Sequence, residues 1–448
     1  MEFYVFAFAI ISIAIIYITK FNVIHPLFMF SVTIAIYGFL GVYLGSSSIL
    51  ASRFTDETVA ISFYYGVAIY IAFLLGCGLA HILSNHLSSA QHPGADLRDD
   101  ANTSSFLLMP QALSVVLTSI SLGGAITLML SSAGSVNEFL NNLHMRQVTS
   151  SGHNWLLFFV LAGRLPIHSA IGRVITERSY IELILHGMIV VAVASIVAGR
   201  IFGLLIVLQM YMVYSNYRSI PTAAKLITAS IAFMIFFIYG FFRYFQGLQG
   251  GLDSVDLGAF LSTSGSDNQN FIEVMQEVMF DGWYVLLSAV DATSYAGNHG
   301  NGALMLSQLS KAIPGLYDRA IDSLYPSFRN ISEQYGLQYR AISWGVELWL
   351  DFSWFGVIPF FWLGYAIYYL YIMMPKKATG LWYTVLYTNI IIYTFLMLRN
   401  GLGFVIAYLT IELIWLVMIT GLLTTPLIYT YGHRRSTKLM SAKTDITP

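Results

Sequence analysis

Six arginines and one glutamate carry the chemistry open to this chain. Arg146, Arg200 and Arg399 each stand in a short polar turn between apolar runs, and Arg243 closes the run Phe241-Phe-Arg-Tyr-Phe245. Arg329 and Arg340 fall in Tyr325-Pro-Ser-Phe-Arg329 and Tyr339-Arg340, just ahead of Ser343-Trp-Gly-Val-Glu347. A guanidinium is planar, permanently charged and forked, which fits it to pairs of phosphate oxygens. A carboxylate such as Glu347 can accept a proton, and the flanking tyrosines offer flat faces for stacking. Each residue also has an ordinary reading. Arginines at span ends snorkel to lipid headgroups, and Arg243 sits where an interfacial aromatic belt would anchor it. Glu347 can cap a helix near Ser343, although it lies one residue beyond capping-box spacing.

The elements that must position these residues are dictated by composition. Hydrophobic residues make up 57% of the chain and charged residues only 10%, more apolar surface than one soluble core could hide. The expectation is an all-α, polytopic integral membrane protein, one domain over residues 1–448. A net charge of −1 gives no basic balance of the kind that nucleic acid attracts. The single cysteine, Cys77, lies in an apolar run, so the chain can form neither an internal disulfide nor a cysteine-based metal site. The stretch from Phe3 to Ile18 lacks a basic lead and a small-residue cleavage site, and reads as a first span instead of a removed signal.

With about twenty apolar residues needed to cross a bilayer, spans are expected near 2–19, 25–45, 58–82, 106–131, 155–172, 180–198, 201–217, 224–244, 353–374, 379–398 and 403–430, about eleven in all. Lysine and arginine are heavily concentrated in one set of loops, including Arg173, Arg178, Lys376, Lys377 and the tail after Arg434. By the positive-inside rule this set is cytoplasmic, and the N-terminus lies outside. Arg146, Arg200, Arg399 and the long polar interval 245–341 then share the outer face, where positive charge is normally depleted. Charges kept there line a cavity or meet an anion. Arg164, inside a span, is read as pairing with Glu177 or Glu182, or as marking a helix break.

A loop of about a hundred residues between spans is uncommon and usually functional. Asp253 to Asn270 is rich in Gly, Ser and Asp and reads as a flexible stretch. Asn270 to Val290 has apolar residues at three-and-four spacing and reads as a helix suited to the membrane surface. Leu304 to Ala312 reads as a short second helix stopped by Pro314-Gly315. His299, within Gly297-Asn-His-Gly-Asn-Gly302, could carry a proton, though such a loop histidine is ordinarily just solvated. No phosphate-binding Gly-rich loop, HExxH or DxD pattern is present, so no cofactor or metal is expected. His81, His86 and His92 are five and six residues apart, a spacing that does not share one helical face.

These features together resemble the Wzy-type O-antigen polymerases, the oligosaccharide repeat-unit polymerases. The resemblance rests on Arg146 followed by Ser151-Gly152, on Ala198-Gly-Arg200, and on the long interval with Ile313-Pro314. It continues through Ser343…Glu347…Asp351-Phe352…Gly356 and the turn Arg399-Asn-Gly401. It implies transfer of a growing glycan from undecaprenyl diphosphate to a lipid-linked repeat unit, on the periplasmic face of a bacterial inner membrane. It implies a GT-C-like architecture without a metal and a copolymerase partner that sets chain length. Arg200, Arg399, Arg329 and Arg340 would neutralise the departing diphosphate, and Glu347 would take the hydroxyl proton.

Two other classes share the gross features. A transporter or flippase would show paired halves with matched helix breaks, and no internal repeat is visible here. The ligase that joins polymer to lipid A core has a similar layout but is expected to use a loop histidine, for which only His299 stands in this interval.

Overall fold

The computed structural model describes residues 10–15, 17–19, 22, 25–34, 54–88, 110–141, 156–177, 180–197, 200–217, 221, 283–294, 299–310, 317–325, 327–335, 342–373, 381–403, 405–406, 409–410, 414–415 and 418. Among them every regular element is helical. In chain order these are α1 (Pro26–Ile34), α2 (Asp56–Ser88), α3 (Gln111–Ala133), α4 (Val136–Asn141), α5 (Leu157–Leu161), α6 (Arg164–Glu177), α7 (Ile181–Val197) and α8 (Arg200–Tyr217). There follow α9 (283–294), α10 (Ala303–Leu309), α11 (Tyr317–Leu324), α12 (Ser327–Gln334), α13 (Trp344–Phe352), α14 (Ile358–Ile372) and α15 (Leu381–Asn400).

Among the described residues three stretches are long and apolar enough to cross a membrane: Asp56–Ser84, Gln111–Ala133 and Trp344–Ile372. At about 1.5 Å per residue even the shortest exceeds the roughly 30 Å of a bilayer's hydrocarbon. Large apolar side chains such as Leu75, Ile71, Phe355 and Trp362 are exposed on them, as a membrane protein requires and a soluble one could not tolerate. The third stretch joins α13 to α14 through a 3-10 turn, Ser353–Val357. It thus begins nine residues earlier than the span expected at 353–374.

The tightest helix pair is α2 against α14, and small residues make it so. A Cβ on Gly76 would run into the Phe361 carbonyl, and one on Gly364 into the Phe73 carbonyl. Between them Cys77 Sγ donates to the Gly364 carbonyl at 3.4 Å. In lipid, where apolar burial gives little drive for helix association, such close backbone approach supplies the packing. Helix α1 joins this pair through Phe30, whose ring stacks on Phe73 at 3.6 Å, and through a 2.8 Å hydrogen bond between Ser31 and Tyr70.

On the other side α3 packs against α5, α6 and α7. Ser121 Oγ donates to the Val160 carbonyl at 2.7 Å, and Thr118 meets His186 Nδ1 at 2.7 Å. The span expected at 155–172 is broken: α5 ends at Leu161, Ala162 and Gly163 turn, and α6 starts at Arg164. Arg164 thus stands at a helix break, one of the settings expected for it, and the side chain of Glu177 lies outside the described residues. The Arg164 guanidinium donates to Tyr393 Oη (3.0 Å), Gln209 Oε1 (3.1 Å) and Asn389 Oδ1 (3.0 Å), tying α6 to α8 and α15. Glu182 pairs with Arg173 and accepts from Gln111.

Of the helix expected over Asn270 to Val290 only the part from Trp283 is among the described residues; 270–282 lie outside them. Trp283 to Val290 are all buried, in one cluster with Tyr65 of α2, Trp344 of α13 and Tyr387 of α15. The run Trp-Tyr-Val-Leu-Leu-Ser-Ala-Val is apolar around its whole circumference, and such a helix belongs inside. One acid accompanies it inward: Asp291 accepts from Thr58 Oγ1 (3.2 Å) and Tyr335 Oη (2.6 Å), joining α9 to α2 and to the end of α12.

Candidate functional site

The site is built on α13. Ser343 caps its N-terminus, accepting from the Val346 amide at 3.3 Å, and every residue from Trp344 to Asp351 is buried. The helix stops at Ser353, whose backbone takes φ +52°. Gly356 then tucks beneath the Leu348 carbonyl, where a Cβ would come within 2.7 Å. Glu347 and Asp351, four residues apart on one helical face, are the two charged side chains of the stretch Trp344–Ile372. Each is buried, and each accepts hydrogen bonds from the first amides of another helix.

Asp351 serves α10. Its Oδ1 accepts from the Leu304 amide at 3.0 Å and its Oδ2 from the Met305 amide at 2.7 Å. The first amides of a helix have no partner within it. The N-cap here is Gly302, which has no side chain to supply one. The exchange is reciprocal. The carbonyls of Leu350 and Asp351, left over where α13 ends, accept from the amides of Gly300 and Asn301, each at 2.9 Å. Asn301 and Gly302 take positive φ, 50° and 90°, to bring this about. A Cβ on Gly300 would collide with Asp351 Oδ1 and lie 3.0 Å from the Tyr325 ring. The Gly-Asn-Gly sequence is thus the shape of this junction.

His299 enters with the same segment and is not a freely solvated loop residue. Its Nδ1 lies 3.2 Å from the Trp349 carbonyl and 3.3 Å from the Leu350 carbonyl. Both neighbours only accept, so Nδ1 carries the proton and Nε2 keeps its lone pair when the ring is neutral. The ring meets Trp349 edge-on, and Trp349 Nε1 is held by Thr293 Oγ1 at 3.0 Å.

Glu347 serves the chain beyond α15. Its Oε2 accepts from the Leu402 amide at 2.8 Å. Gly401 ends α15 with φ +83° and donates to the Met397 carbonyl at 3.0 Å, the left-handed glycine stop. A Cβ on Gly401 would collide with Glu347 Oε1. Glu347 therefore touches the turn that follows Arg399, although 52 residues separate the two in sequence.

The other expected site residues fall as follows. Tyr325 is 4% exposed, between α11 and α12, with Phe328 and Gly300 against its ring. Burial, and then the charge of Asp351, push its phenol up to about 12. A platform for sugar stacking needs an open face, so Tyr325 is instead a wall of the Asp351 junction. Arg200 opens α8, Arg329 lies in α12 and Arg399 lies in the last turn of α15. Their side chains, and the whole of Arg146, Arg243, Tyr339 and Arg340, lie outside the described residues.

Sequence reasoning assigned no role to Asp351 or Asp291. A signal for Asp351 was present: an acid four residues after Glu347 in an apolar helix, and a later-packing helix opening on a glycine with no cap of its own. No family model, curated protein or solved structure searched matches this chain.

Proposed function

We propose that the chain polymerises undecaprenyl-diphosphate-linked oligosaccharide repeat units into O-antigen or a related surface polysaccharide. The observation that supports this most is the convergence on α13. The junction 299–305 and the turn after Arg399 are remote from each other in sequence and meet on this one buried helix of the closing stretch Ser343 to Gly356. The closing stretch and the turn are among the stretches on which the resemblance to the polymerases rests.

In this reading about eleven spans hold the interval 245–341 on the periplasmic face of the inner membrane, with the N-terminus outside and the C-terminus in the cytoplasm. A hydroxyl of the incoming repeat unit attacks the anomeric carbon of the growing glycan. The bond from that carbon to the diphosphate oxygen breaks, and the polyprenyl diphosphate leaves with its electron pair. Arg200 and Arg399, with Arg146, Arg243, Arg329 and Arg340, neutralise that charge without a metal. The hydroxyl proton passes to a basic side chain beside α13, and the imidazole of His299, with Nδ1 donating to the carbonyls of that helix, has in Nε2 the acceptor for it. Tyr339 remains the tyrosine proposed for sugar stacking. A copolymerase sets chain length.

Deleting the gene tests the reaction. The expected result is lipopolysaccharide capped with a single repeat unit and no ladder. Polymer stranded on undecaprenyl diphosphate would assign the chain as the ligase instead, and repeat units trapped on the cytoplasmic leaflet would assign it as a flippase.

A further inference from the structure

We propose that Glu347 is a positioning residue: it holds the turn after Arg399 in place and does not take the proton. The inference rests on the polymerase reading above. Three observations carry it. Glu347 is 2% exposed, so its carboxylate faces the protein and not solvent. Its Oε2 accepts the Leu402 amide at 2.8 Å, the first amide of the helical turn after Gly401. Its Oε1 occupies the place a side chain on residue 401 would need, so glycine is required there by both space and φ.

The consequence concerns Arg399. Its backbone belongs to the last turn of α15, which is stopped by the Gly401 amide on the Met397 carbonyl. Glu347 pins Leu402, the residue next after that stop. The same helix, one turn further on, pins the junction that carries His299 through Asp351. One rigid bar therefore sets the spacing between the arginine meant for the diphosphate and the imidazole whose Nε2 can accept a proton. A displacement of about 1 Å in such a spacing costs on the order of a hundredfold in rate.

Capping needs an acceptor oxygen, which glutamine supplies; accepting a proton from the attacking hydroxyl needs the carboxylate charge. The test uses purified full-length protein with lipid-linked repeat units, and compares E347Q, E347A and G401A for rate, pH profile and melting temperature. Expected are a rate for E347Q within about threefold of the parent, with the same pH profile, and a loss of about a hundredfold for E347A and G401A. An E347Q protein that melts like the parent but is as inactive as E347A would overturn the proposal and make Glu347 the base. Should the parent itself make no polymer, the function falls on its own. Melting temperature then still decides the role: lowered in E347A and restored in E347Q supports it, and unchanged in both overturns it.

Discussion

Alanine at Arg200 or at Arg399 is expected to abolish polymer while leaving the amount of protein in the membrane unchanged. Each arginine sits at a helix end, Arg200 opening α8 and Arg399 in the last turn of α15. A diphosphate leaving without a metal needs positive charge fixed in advance. Removing one such preorganised donor costs about a hundred- to a thousandfold in turnover. Lysine should rescue poorly, because an ammonium is a point charge and cannot grip two oxygens in one plane. The readout is the length ladder of lipopolysaccharide beside an immunoblot. Normal ladders from both alanine variants would put the anion site elsewhere.

Asp351→Ala is the substitution expected to damage the fold most. It strips partners from two helix-start amides at once, those of Leu304 and Met305, in a place where the replaced side chain is wholly buried. Loss of a charged acceptor with its amides left stranded amounts to about 2–4 kcal/mol. Asp351→Asn keeps one acceptor oxygen and should fall between the two. Melting of the purified protein in detergent measures both; a parent-like melting temperature for the alanine variant would contradict the capping role. Because the Gly300 and Asn301 amides bond to the same corner of α13, the variant should also loosen His299 and lower turnover beyond its loss of stability.

How far the sequence could be read follows from how local each signal is. Helix α7 ends and α8 begins within a few residues of where Gly199-Arg200 divides their apolar runs, and the α15 stop is announced by Asn400-Gly401. Those are local punctuation. The buried position of α9 was legible too, had its apolar circumference been weighed above the charged residues that precede it. Roles set across the fold were not. Arg164 stands at the helix break that the sequence allowed for it, but the acceptors it meets among the described residues lie 45 and more than two hundred residues away. Glu347 is read from sequence as an acid near sugars and phosphates, and Asp351 is given no role there. Their capping partners become visible only when residues 299–305 and 401–402 are folded against α13. Tyr325 shows the reverse, a residue in a suggestive motif that packing takes out of solvent.

Polymerisation by this chain is open to reconstitution. Purified protein in lipid vesicles is given undecaprenyl-diphosphate-linked repeat units in a strong chelator, and products are resolved by length. The expected result is a ladder of glycans on undecaprenyl diphosphate, release of one free carrier per bond made, and a rate unaffected by the chelator. Repeat units returned unlinked, or a ladder lost to the chelator and restored by a divalent ion, would contradict it.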